Sequence, residues 1–137
     1  MAYRIADTVF DQALNYLKNN CDTVVVLTGD PASYSEAINT AGTGSNKKIA
    51  SATVTSASFT VADGAADGRK VTVAAQNDVA VTATGPSDAS HVAWLDTSNS
   101  AVLFVTQLTT TRTGLTSSDT LDIPAHFAAF RDATVAS

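Results

Sequence analysis

The sequence predicts a mainly β protein: an antiparallel sandwich or partly open barrel with one N-terminal α-helix and an extended C-terminal tail. Three observations lead there. Only one segment, near the start, has helical spacing of its apolar residues, and from Lys47 onward the period is two. Turn pairs such as Asp63-Gly64, Asp67-Gly68, Asn77-Asp78 and Gly85-Pro86 punctuate that region, and short strands recurring every ~8–12 residues suggest a sandwich or barrel. The alphabet also suits pleated surfaces. Ala, Thr and Ser supply 57 of the 137 residues and Val another 14. Thr and Val are stiff at χ1 and favour half-buried strands.

The helix comes first. Phe10, Ala13, Leu14 and Leu17 fall at i, i+3, i+4 and i+7 and draw one apolar stripe. Asp7 or Thr8 is a candidate cap, Asp11 adds negative charge near the start, and Lys18 sits in the last turn. Asn19-Asn20 offers a left-handed stop, which places the helix at about residues 7–19. Thr23 to Thr28 is a continuous β-branched run and reads as a strand buried on both faces. Pro31 to Ala41 is ambiguous, although Ser33 and Glu36 are spaced as a capping box ahead of a helical turn. Gly42 to Asn46 is a loop.

The β core then runs to about residue 123. Ile49, Ser51, Thr53 and Thr55 interleave with Ala50, Ala52 and Val54, and Phe59 and Val61 follow. Arg69 to Ala75 reads as a strand with Val71 and Val73 on one face. Asn77-Asp78 turns into Val79, Val81 and Ala83. The clearest hairpin joins His91–Leu95 to Ala101–Val105 through Asp96–Ser100. Thr109 to Ser118 reads as a polar connection. Leu121 and Ile123 form a short last strand stopped by Pro124, and residues 124–137 are left as a tail.

Composition bounds the function. The length fits one domain over residues 1–137, with no internal repeat or linker. Eight Lys plus Arg against thirteen Asp plus Glu give a net charge of -5. That balance argues against a nucleic-acid coat and against a polybasic membrane binder. No apolar run is long enough to span a bilayer, and the N-terminus lacks the apolar core of a secretory leader. The single cysteine, Cys21, forms neither an internal disulfide nor a cysteine-based zinc site.

Little in the sequence spells chemistry. His91 and His126 are the natural acid-base or metal candidates, but they share no ligand spacing. Gly42 to Lys48 lacks the phosphate-loop pattern, and the two Asp-Gly pairs lack the rest of a calcium loop. Ser90-His91 has no nucleophile elbow beside it. Cys21 follows the helix C-terminus, where the helix field opposes a thiolate, and reads as a small buried hydrophobe. No cofactor or metal is expected. Trp94 and Phe104 sit on the two arms of the hairpin and are expected to share a core face. Aromatic and arginine side chains outside the β core, Tyr3, Arg4, Phe127, Phe130 and Arg131, are the interface candidates.

Taken in order, several segments resemble small virion proteins of tailed bacteriophages. They are Met1-Ala2-Tyr3-Arg4-Ile5-Ala6-Asp7-Thr8 with the helix through Leu17, and Asp67-Gly68-Arg69-Lys70-Val71-Thr72-Val73. With them go Ser90–Leu95, Ala101–Val105 and Asp119-Thr120-Leu121-Asp122-Ile123-Pro124. Within that class the sequence is most similar to capsid decoration, or cement, proteins. The resemblance implies a non-enzymatic structural protein that binds the assembled head and bridges neighbouring coat subunits. Its expected partners are the major capsid protein and copies of itself, as a homo-oligomer such as a trimer. Its expected place is the virion surface, after assembly from the host cytoplasm. The alternatives are a tail or tail-tip component, an adhesive or carbohydrate-binding β module, and an enzyme that would need His91 or His126. Residues 125–137 are expected to form an assembly arm.

Overall fold

A computed structural model describes residues 5–64 and 68–131. Helix α1 spans Asp7–Asn20. Its apolar stripe docks as the spacing predicts: Phe10 and Leu14 are buried and Leu17 packs against the core, while Ala13 stays at the exposed margin. The ends differ from the expectation. Ala6 occupies the N-cap position with no side-chain bond, and Asp7 contributes only its charge to the first turn. No left-handed residue ends the helix. Cys21 is extended, its N–H donates to the Leu17 carbonyl at 2.9 Å, and the Asn20 amide donates to the Tyr16 carbonyl at 2.8 Å.

Among the described residues the strands are β1 (Thr23–Leu27), β2 (Lys48–Thr53), β3 (Phe59–Asp63), β4 (Arg69–Val73), β5 (Gln76–Ala80), β6 (Ser87–Asp96), β7 (Ala101–Leu115), β8 (Thr120–Ile123) and β9 (His126–Phe130). A short helix α2 (Tyr34–Ile38) lies between β1 and β2. The Ser33 hydroxyl accepts the Glu36 N–H at α2, half of the box the spacing predicts, while the Glu36 carboxylate accepts the Ala32 N–H and pairs with Lys47. The first sheet has the order β2-β1-β6-β7, all antiparallel. Strand β1 is buried on both faces, as its unbroken apolar run predicts. Val24 and Val26 join the main core with Leu14, Ile49 and Trp94, and Val25 and Leu27 join a smaller core under α2 with Ala37, Ala93 and Leu95.

The second layer is a bent ribbon. β4 and β5 are separated only by Ala74-Ala75, and β8 and β9 only by Pro124-Ala125. The pairing runs from Arg69↔Phe130 through Val73↔His126 and Gln76↔Ile123 to Ala80↔Thr120. Asn77-Asp78, expected as a turn, is instead an irregularity inside β5. Asp78 adopts φ 55, a conformation that Asp tolerates better than most residues, and its N–H donates to the Asp122 carboxylate at 2.9 Å. One half of the ribbon pairs with β3. The other half meets the first sheet at the Ala50↔Val81 bridge, where the Thr82 N–H donates to the Ile49 carbonyl at 2.7 Å. The sheets do not close into a barrel; the architecture is a β sandwich carrying one N-terminal helix.

Two expectations about the chain's second half are corrected. Thr109–Ser118 is not a polar connection: β7 continues to Leu115 against Ser87 and Ala89, across breaks in register. Correspondingly, β6 begins at Ser87 and not at His91. The tail is not an extended arm from residue 124. His126–Phe130 is β9, in full register with β4, so the β core extends past Ile123. Pro124 stops β8 without ending the sheet, because it sits at the bend where no ladder bond is made.

Long-range polar contacts lock the layers. The Arg69 guanidinium donates to Asp11 on α1 at 2.7 Å and also to Asp63, tying the helix to the β3–β4 hairpin. Gly68 precedes β4 with φ 75, and a Cβ there would lie 2.0 Å from the Phe130 carbonyl oxygen. Only glycine fits that close approach of the β9 terminus.

Candidate functional site

The most distinctive surface is the side of the sandwich where the sheets fail to meet. β7 is the last strand of its sheet and β9 the last of the other, and no ladder joins them. Between them lie two cavities, end to end. One, of about 450 Å³, is walled by Ala13, Tyr16 and Leu17 of α1, Leu103 and Phe104 of β7, and the end of β9 at Phe130. The other, of about 470 Å³, lies between Thr106–Arg112 of β7 and the Asp122–His126 segment. Together they follow β7 from Leu103 to Arg112.

The seam is graded in chemistry. At the α1 end it is apolar and partly uncovered: Tyr16 is 56% exposed and Phe130 42%. Phe130 is held from behind by Phe10, with ring centroids 5.8 Å apart and planes nearly parallel. At the far end the charged lining residues are Arg112 and Asp122. The midpoint is polar and precisely bonded. The Trp94 indole N–H donates to His126 Nε2 at 2.8 Å, and His126 Nδ1 lies 2.9 Å from the Pro124 carbonyl. These two bonds require the neutral tautomer with its proton on Nδ1. Burial lowers the His126 pKa, and the bond to Pro124 opposes that shift only in part.

Trp94 itself is fully buried, 4.8 Å from Phe104 and 5.2 Å from Phe59 between ring centroids. It shares a core face with Phe104, as the hairpin pattern predicts, and in this conformation it presents no face to a sugar. Of the interface candidates, Tyr3 and Arg4 lie outside the described residues. Phe127 and Phe130 lie on opposite faces of β9, because an odd separation alternates sides in a strand. Only Phe130 lines the seam; Phe127 is 54% exposed, with the Lys70 ammonium 5.2 Å from its ring centre. Arg131 is exposed just beyond β9. The seam residues missed by sequence reasoning are Tyr16, Leu103 and Arg112. Tyr16 carried a signal, since it lies beside the apolar stripe of α1 at i+3 from Ala13.

The remaining reactive groups are engaged locally. His91 Nδ1 lies 2.8 Å from the hydroxyl of its neighbour Ser90, but Asp88 is occupied in accepting the Gly114 N–H. Burial pushes the Cys21 thiol up to about 11, so it stays protonated at neutral pH. Burial also raises the Asp22 carboxyl, yet hydrogen bonds from the Thr97 side chain and backbone and from Thr23 outweigh it and hold Asp22 below the usual carboxylate range. Asp22 thereby ties the β6–β7 turn to the start of β1. Among the described residues no three His, Cys, Asp or Glu gather as a metal site, and no helix is long and apolar enough to cross a membrane.

Comparisons with protein-family models, with curated proteins and with solved structures give no match.

Proposed function

We propose that this protein is a non-enzymatic structural component of a phage particle, most like a capsid decoration protein. In this reading it leaves the host cytoplasm by adding to the assembled head. It binds the major capsid protein and copies of itself, and it bridges neighbouring coat subunits at the virion surface. The observation that carries the proposal is the seam between β7 and β9. An uncovered apolar groove, rimmed by Tyr16 and Phe130 and flanked by unpaired strand edges, fits a protein surface better than a small reactant. Each copy of such a clamp contributes modestly, and many copies sum across a shell.

The test is cosedimentation of the full chain with assembled heads and with free coat subunits of the same particle. Binding to heads and not to free subunits is expected, because a bridging site exists only after assembly. The double variant Tyr16→Ala, Phe130→Ala should bind heads at least ~10-fold more weakly while keeping its far-ultraviolet spectrum, since two aromatic anchors commonly carry more than 1.4 kcal/mol. Equal binding by the variant, or none by the natural chain, would overturn the reading. Copurification with tails would move the protein to the tail.

A further inference from the structure

We propose that His126 is a proton-operated latch on the seam: the neutral ring closes over Trp94, and the protonated ring leaves the indole and turns into the cavity beside it, opening the seam at its midpoint. The latch is a property of the free chain and does not depend on the particle reading. It starts from what each side chain can offer. An indole has one N–H donor and no acceptor, so a buried tryptophan needs an acceptor held against it. Trp94 is fully buried, and its N–H donates to His126 Nε2 at 2.8 Å, with the ring centroids 5.6 Å apart. That nitrogen has a single lone pair, and it is the one a proton from water would take. An imidazolium carries N–H on both nitrogens, so flipping the ring restores no acceptor. Left in place, the charged ring would press a donor against a donor at 2.8 Å.

The surroundings decide which way that conflict resolves. Trp94 is held in place by Phe59 and Phe104, at centroid distances of 5.2 and 4.8 Å. The His126 backbone is fixed opposite Val73 by the β4–β9 pairing. The imidazole is the part that can go. His126 is only half-buried and lines the cavity of about 470 Å³, which has room for the ring and for the water that would then meet the indole N–H. Among the described residues, the charged groups lining that cavity are Asp122 of β8 and Arg112 of β7, one of each sign. β6 faces the ring with Trp94 and Val92, and β4 meets it at Val73, so neither brings a charge there. Burial disfavours the charged ring in its present place, so proton uptake and departure are coupled. His91 makes the contrast. Its Nδ1 lies 2.8 Å from the Ser90 hydroxyl, and a hydroxyl both donates and accepts, so that contact survives either charge state of the ring.

The experiment is nuclear magnetic resonance of the full chain as pH falls from about 7.5 to about 4.5, above the window in which Asp22 takes up its proton. Trp94 is the single tryptophan, so one indole N–H signal reports the latch. At the start, His126 is expected to be neutral with its proton on Nδ1. As it protonates, the indole N–H signal should move upfield. Its exchange with solvent should rise ~10-fold against free tryptophan at the same pH, about the factor one such hydrogen bond controls. The far-ultraviolet spectrum should hold, because the backbone stays paired. His126→Gln offers a carbonyl acceptor that does not titrate, so its indole signal should be unmoved by pH. His91→Gln should titrate as the natural chain does. The natural chain alone can refute the latch. An imidazole that protonates with the indole signal unmoved, one that stays neutral down to about pH 4.5, or unfolding before either change would each overturn it. So would an indole shift that persists in His126→Gln. No particle enters this test, so its failure and the failure of the particle reading are distinguishable.

Discussion

Along one side of the sandwich, the Ala50–Val81 bridge and the Thr82–Ile49 hydrogen bond carry the first sheet into the second. Along the other side, β7 and the β8–β9 arm run past each other with no ladder between them. The closed side buries Ile49, Ala50, Val79 and Val81. The open side leaves Phe104 and Leu108 only half-buried and Phe130 exposed. Backbone groups cannot be left unpaired in a dry core. The difference teaches how the ladders are divided between the two sides: one completes them internally, and the other leaves its outer backbone groups unpaired within the chain.

The comparison can be broken most severely on the closed side. Val81→Asp places a carboxylate in a position only 3% exposed, beside Ala50. A loss of about 4 kcal/mol or more is expected, enough to unfold many domains of this size, and a denaturant titration reads it. Gly68→Ala acts on the open side through backbone. A methyl at φ 75 meets the Phe130 carbonyl, so the end of β9 must move. The expected cost is about 2 kcal/mol, with faster hydrogen exchange in β9 than in β1.

Acidification sharpens the comparison more gently. His126 has a lowered pKa in the folded chain, whereas the unfolded chain takes up its proton near the ordinary ~6.5. Between those two values the unfolded state binds more protons, so stability falls as pH drops through about 6.5 and levels off below the folded value. The melting temperature should decline from pH 7.5 to pH 5.5 in the natural chain and decline less in His126→Gln. Asp22 acts in a separate window. Its depressed pKa contributes stability above the ordinary ~3.9 that is lost only as pH falls below it, which keeps the two effects apart. The smallest expected effect is Thr109→Lys on the exposed part of β7, within about 0.5 kcal/mol of the natural stability.

The parts legible in the sequence are those fixed by local periodicity. The stripe through Phe10, Leu14 and Leu17 identified α1, the unbroken Val24–Leu27 run identified a strand buried on both faces, and Trp94 and Phe104 met across the hairpin as their pattern required. The misread parts have physical reasons. Thr109–Thr113 looks like a loop because its side chains are polar, yet threonine suits an exposed strand as well as a connection. β9 was hidden by Pro124, and by Ala128 and Ala129, which blur the alternation between Phe127 and Phe130. The seam was not legible at all. It arises because two strands do not pair, and the Asp11–Arg69 link that seats α1 beside it joins residues 58 apart.

We propose that the open seam is covered in a particle. Its most direct test is copy number, measured by labelled-peptide mass spectrometry against the major coat protein in purified particles, with heads and tails separated. A simple stoichiometric ratio to the coat protein, confined to heads, is the expected result. Absence of the protein from particles would contradict the account.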